Sequence, residues 1–176
     1  NLIEIIPGVE MSVSWYDLEL ENPFAGIHLL IYFLKKDTPI YELLSKIRIE
    51  KKNRNYEILE KLKKVGVEIE RKELDDLETK VPGRPHIANL MKSKGYVASL
   101  NEAFKEYLGN GKVGDSRIHQ NPIEEVIDCA KESKCLVFLA HPHTLMSNKD
   151  YSFSKNWYNS VFVDRLGSLK NLGIHG

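Results

Sequence analysis

Apolar and polar positions change rhythm twice along the chain. Leu2-Ile3-Glu4-Ile5-Ile6 is a β-branched run broken by Pro7-Gly8, and Val9–Trp15 follows with partial alternation. After a polar stretch, Glu19–Pro23, comes Ile27-His28-Leu29-Leu30-Ile31-Tyr32-Phe33-Leu34. These runs predict strands. The last is apolar on both faces, which suits a strand covered on two sides, as in a barrel or α/β sheet.

From 37 the period turns helical. Asp37-Thr38 before Pro39 and Glu42 marks a helix start with proline near the first turn. Tyr56, Ile58, Leu59, Leu62 and Val65 form an apolar stripe, and Gly66 stands where that helix should stop. Pro85–Lys94 and Ser99–Leu108 read as further helices, the second with Ser99 and Glu102 as a capping box. Gly109-Asn110-Gly111 closes it. Beyond 119, Pro122–Ser133 predicts a helix, Cys135–Ala140 a short strand and 155–172 another helix. The order implies an α/β core, 1–36 and 119–176, interrupted by a helical domain over 37–118. Such an insertion costs little loop-closure entropy.

The 176 residues carry 25 Lys+Arg against 25 Asp+Glu, with 42% hydrophobic and 28% charged residues. These are globular values and exclude a disordered or collagen-like chain. Zero net charge removes the simplest case for a nucleic-acid or membrane-surface protein, although a local basic face is compatible with it. No apolar run is long enough to span a bilayer, and no obligate protein partner is evident. Cys129 and Cys135 give no disulfide framework, so a reducing compartment, the cytoplasm, is expected.

Candidate chemistry clusters at four places. Glu10 follows the Pro7-Gly8 break, where it is either a solvated strand-end carboxylate or a functional group facing a loop. His28 lies inside an apolar run, either as a core imidazole bonded to backbone or as a neutral metal ligand. His141-Pro142-His143 leaves a strand directly, and two imidazoles at i and i+2 can face one cavity. A carboxylate and imidazoles from separate strands form the mixed set that Zn, Mn or Fe prefers. Gly83-Arg84-Pro85-His86 opens a helix whose free N–H groups, guanidinium fork and imidazole suit a phosphate. Residues 48–64, including Arg48 and Arg54, hold seven Lys/Arg against three Glu, either a solvated face or an attraction for an anionic substrate. G-x-S-x-G, C-x-x-C and Walker signatures are absent, and the glycines of Gly109-Asn110-Gly111-Lys112-Val113-Gly114 form a turn at a helix end without the strand context that a dinucleotide-binding loop needs.

Taken in order, Pro7-Gly8-Val9-Glu10-Met11-Ser12, Ile27-His28-Leu29-Leu30-Ile31-Tyr32, Gly83-Arg84-Pro85-His86-Ile87-Ala88 and Leu139-Ala140-His141-Pro142 resemble the PHP-domain (polymerase and histidinol phosphatase) phosphoesterases. The resemblance covers nearly the whole chain. It is strongest to the subgroup acting on nucleoside 3′,5′-bisphosphates and short RNA ends. It implies a distorted (β/α)7 barrel with an inserted helical domain and two or three divalent ions (Mn, Fe, Zn or Mg). It also implies a small nucleotide or short RNA substrate. Glu10, His28 and His141 would be metal ligands, and Arg84, His86 and Arg54 would hold substrate phosphate. Upstream H-x-H, S-D-G and T-D-H motifs and a downstream S-D-x-H motif are not in this chain. Three of nine expected ligands are therefore present. The chain is expected to be cut at both ends and inactive alone, or else to be a non-catalytic PHP-like scaffold that binds a partner or nucleic acid through its helical insertion.

Overall fold

The computed structural model describes residues 2–17, 22–79, 81–116, 120–142 and 155–176. It divides into two compact units, Asn1–Leu44 with Gln120–Gly176, and Ser45–His119.

The first unit is built on a three-stranded antiparallel sheet in the order β1 (Gly8–Asp17), β2 (Asn22–Tyr32), β3 (Leu136–Leu139). β1 and β2 form a hairpin whose register steps by one residue at Gly26, where Val13 pairs with Ile27 but Ser14 pairs with Ala25. Met11, Val13, Trp15, Ile27, Leu29, Ile31 and Val137 are buried, which makes one face of the sheet the core face. Helix α5 (Ile123–Glu132) packs on the sheet and buries Ile123, Val126, Ile127 and Ala130. Helix α6 (Lys155–Leu172) joins it through Lys131 Nζ, which donates to the Leu172 carbonyl at 2.8 Å.

Two strand expectations are corrected here. Ile3–Ile6 forms no strand, and Leu2, Ile3 and Ile5 are almost fully exposed. Strand propensity expresses packing against a neighbour, and this run pairs with no strand among the described residues. β2 is not covered equally on both sides: Ile27, Leu29 and Ile31 are buried, whereas His28, Leu30 and Tyr32 on the other face are half-exposed.

Helix α1 (Pro39–Lys63) begins with proline in its first turn, where a missing N–H costs nothing. The next donor, Ile40 N–H, is taken at 3.0 Å by Ser133 Oγ, a cap supplied from 93 residues away. The second unit comprises α1 from Ser45 onward, α2 (Arg71–Asp75), α3 (Arg84–Ser93), α4 (Leu100–Ala103) and a π-helical turn, Phe104–Leu108. Ile58, Leu59, Leu62, Leu74, Ile87, Met91 and Leu108 are among its core residues. Val65, assigned to the stripe by spacing, is half-exposed because α1 has already unwound at Lys63. Gly66 takes the positive φ (83°) that ends the turn. Ser99 Oγ accepts from Glu102 N–H at 3.1 Å, the first half of the capping box.

Candidate functional site

Strand alternation decides which side chains can meet. Glu10 is the third residue of β1 and His28 the seventh of β2, so Glu10 lies near the start of a strand and not at a strand exit. Ser12 pairs with His28 and Glu10 with Leu30, which places Glu10 and His28 on the face opposite Met11, Val13 and Leu29. His141 arrives from beyond β3. The Ala140 N–H donates to the His28 carbonyl at 2.9 Å, extending the ladder by one step and delivering the next residue beside His28. His141 then adopts φ +30°, a left-handed backbone that L side chains rarely take.

The three side chains converge. Glu10 Oε1 lies 2.8 Å from His28 Nδ1 and 3.1 Å from His141 Nε2, and the two nitrogens are 3.0 Å apart. The rings stand nearly perpendicular, at 74°, with centroids 4.8 Å apart. Both imidazoles hydrogen-bond the Glu10 carboxylate and hold its pKa below the ordinary carboxylate value, the His28 contact contributing most. Glu10 is half-exposed and the histidines about a third exposed, so one side of the cluster is open to solvent.

Proton counting shows what this triangle suits. The Glu10 oxygen can only accept, and each ring nitrogen either donates or accepts. At most two of the three contacts can then be favourable hydrogen bonds, and the third sets like against like. A cation between the atoms makes all three favourable. With bonds of about 2.1 Å, neighbouring ligands sit about 3.0 Å apart on an octahedron and about 3.4 Å on a tetrahedron. The separations of 2.8, 3.0 and 3.1 Å match one octahedral face. Among the described residues this is the only grouping of three or more His, Cys, Asp or Glu close enough to share an ion. His143, the other expected imidazole, lies outside the described residues.

The second cluster lies within Ser45–His119. Arg54 projects from α1, while Arg84 and His86 occupy the first turn of α3. Arg84 Nη1 donates to the Leu108 carbonyl at 3.1 Å, at the end of the π-helical turn. Partial burial pushes the Arg54 pKa down, and the positive charge of Arg84 pushes it down further. Arg54 Nε is buried with no hydrogen-bond partner. His86 Nδ1 accepts the Gly83 N–H at 3.1 Å, which puts the proton of a neutral ring on Nε2 as a donor. Arg48 is exposed on α1.

Asn55 is not among the expected residues. It stands three, four and seven positions before Ile58, Leu59 and Leu62, in the register of the apolar stripe, and it is fully buried. A polar residue in that register is the signal that marks it.

No protein-family profile matches the chain. A 5′-3′ exoribonuclease of Haemophilus influenzae is 28% identical over 163 residues, covering 92% of this chain and 55% of that protein. The Escherichia coli 5′-3′ exoribonuclease Rnm is 28% identical over 164 residues, covering 88% and 49%. The chain spans about half the length of these curated relatives. An amidohydrolase from Chromobacterium violaceum, solved with sulfate and no metal, superposes with a TM-score of 0.64 at 20% identity, covering 97% of this chain and 55% of that one. A protein from Bifidobacterium adolescentis, described as a metal-dependent phosphoesterase, gives 0.64 at 18% identity, covering 94% and 54%. The chain is a mixed helix-and-strand structure that shares its fold with these two solved proteins and is similar in sequence to the two exoribonucleases.

Proposed function

We propose that the chain is part of a PHP-type metal-dependent hydrolase that cleaves phosphate esters of small nucleotides or short RNA ends. The observation that carries this reading is the convergence of Glu10, His28 and His141 on one point of an open sheet face. The exoribonuclease names of both relatives and the phosphoesterase description of one structural neighbour support it. In this reading the first unit belongs to a distorted barrel, 37–118 is its helical insertion, and the complete centre takes two or three ions.

Glu10, His28 and His141 would hold a divalent cation, and their oxygen–nitrogen set suits Mn, Fe, Zn or, less well, Mg. Such an ion supplies Lewis acidity, lowering the pKa of a bound water towards neutrality and drawing charge from a phosphoryl oxygen. Glu10, kept ionised by its two imidazole contacts, orients both rings. Arg54 and Arg84 neutralise charge on substrate phosphate, and His86 donates from Nε2 to a phosphate oxygen. A reducing cytoplasm is the setting we assign. Neither Cys129 nor Cys135 is in a disulfide, and among the described residues no helix is long and apolar enough to cross a membrane.

The test has two parts. Elemental analysis of the chain grown with Mn should find bound divalent metal that chelation removes and that His28→Ala lacks. A form extended to the length of its relatives and loaded with metal should release phosphate or mononucleotides from nucleoside 3′,5′-bisphosphates or 5′-phosphorylated short RNA. A metal-loaded extended protein that leaves a phosphoester panel untouched would overturn the reading.

A further inference from the structure

A fully buried asparagine in an apolar stripe needs a reason. Asn55 is 0% exposed on the core face of α1, yet its side chain is only half satisfied. Nδ2 donates to the Pro82 carbonyl at 2.7 Å, while Oδ1 has no hydrogen-bond partner. Leaving a buried acceptor unpaired costs free energy that an apolar side chain of similar size avoids. Packing alone would favour leucine here. The bond to Pro82 is therefore what the amide supplies, and the place it acts on is informative. Pro82 immediately precedes Gly83, the N-cap of α3, and then Arg84. On α1 the residue next to Asn55 is Arg54.

The same two elements carry Arg54, next to Asn55 on α1, and Arg84, two residues beyond Pro82, so the Asn55–Pro82 bond ties together the backbone segments that bear these two like charges. Like charges on neighbouring helices drift apart unless the backbone holds them. Two ties act against that drift. Asn55 fixes the entrance of α3 to α1, and the Leu108 carbonyl holds one nitrogen of Arg84. The π-helical turn that presents this carbonyl is closed by the Gly109 N–H donating to Phe104 C=O at 2.8 Å. A Cβ at Gly109 would meet that same carbonyl at 2.5 Å, so only glycine fits.

We infer that Asn55 is a positioning residue that holds Arg54 and Arg84 as a preorganised anion pair by locking the Pro82–Arg84 turn onto α1. The inference rests on the reading of Arg54, Arg84 and His86 as a phosphate site. Preorganisation matters because a guanidinium pair assembled only on binding would spend part of its binding energy on bringing like charges together.

The experiment titrates the chain with inorganic phosphate in the presence of chelator, so that the metal cluster makes no contribution. Melting temperatures are followed in parallel. Arg84→Ala should weaken phosphate binding about tenfold or more, the worth of one lost charge-assisted contact. Asn55→Leu should fold with a melting temperature equal to or above that of the wild type, yet bind phosphate about five- to tenfold more weakly. A merely structural asparagine would give the opposite split, lower stability with unchanged affinity. Asn55→Ala serves if leucine overpacks the site. A measurement without mutation stands beside these: phosphate should slow solvent exchange of the Asn55 side-chain amide protons in the wild type. Wild-type phosphate affinity in the folded Asn55 variants, or amide exchange indifferent to phosphate, overturns the positioning role and leaves the anion site standing. A wild-type chain that binds no phosphate, or an Arg84→Ala chain that binds it normally, removes the anion site and this inference with it.

Discussion

The two clusters solve opposite electrostatic problems. Glu10 draws in both His28 and His141, and each of these contacts lowers the carboxylate pKa further. Arg54 and Arg84 carry like charges, and partial burial followed by the charge of Arg84 lowers the pKa of Arg54. The first cluster needs only a sheet that brings its members onto one face. The second needs tethers, and it has them in the Pro82 and Leu108 carbonyls. A site whose carboxylate accepts from its neighbours can sit open to water, whereas a site built from like charges must be held from behind.

That contrast can be broken at its strongest point first. Leu29→Ala empties a fully buried position directly behind His28 and should destabilise the sheet by about 2–5 kcal/mol, read as a lower melting temperature. His28→Ala leaves the core face intact. It should cost at least about a hundredfold in Mn or Zn affinity by competitive chelator titration, with little change in the melting temperature of the metal-free chain. Salt sharpens the difference between the clusters. Raising ionic strength from about 0.05 to 0.5 M should weaken phosphate binding at the arginines severalfold, because screening acts on partly exposed charges, and should move metal affinity less.

The smallest effect concerns pH. The Lys94 ammonium, bonded to Glu73 at 2.7 Å, holds the Glu73 carboxyl below its usual value, and Glu73 raises the pKa of Lys94 in turn. A depressed carboxyl stabilises the folded state above its unfolded pKa and loses that effect as pH falls through the folded value. A raised lysine contributes below its unfolded pKa and is lost as pH rises through the folded one. The pair therefore acts between about pH 5 and 10. Lys94→Met should lower stability slightly across the neutral region and so flatten the acid limb, as measured by thermal melts, while stability at strongly acid pH stays almost unchanged.

Local signals were legible where neighbours in sequence decide the outcome. Pro39 and the Ser99–Glu102 pair mark helix starts because caps act within one turn. Ile3–Ile6 misleads because a strand needs a partner that propensity does not name. The cap on Ile40 was invisible for the same reason, since Ser133 reaches it across 93 residues. Glu10 and His28 could be suspected singly, but their meeting with His141 depends on hairpin register and on a ladder step from β3. Asn55 had a readable clue, its place in an apolar register, but its partner is a backbone carbonyl that no side-chain pattern encodes. Short α2 (Arg71–Asp75) is too brief to show a period at all.

The left-handed backbone of His141 carries a wider consequence. Holding a non-glycine residue at φ +30° costs on the order of 1 kcal/mol, and that cost is met whether or not an ion is bound. Glycine at this position would relieve the strain and remove the imidazole in the same step. Selection for thermal robustness alone would thus drift towards a firmer but chemically blank protein at residue 141. Screens of variants that score only heat resistance should enrich that loss, and the histidine will persist where the proposed metal site is what is selected.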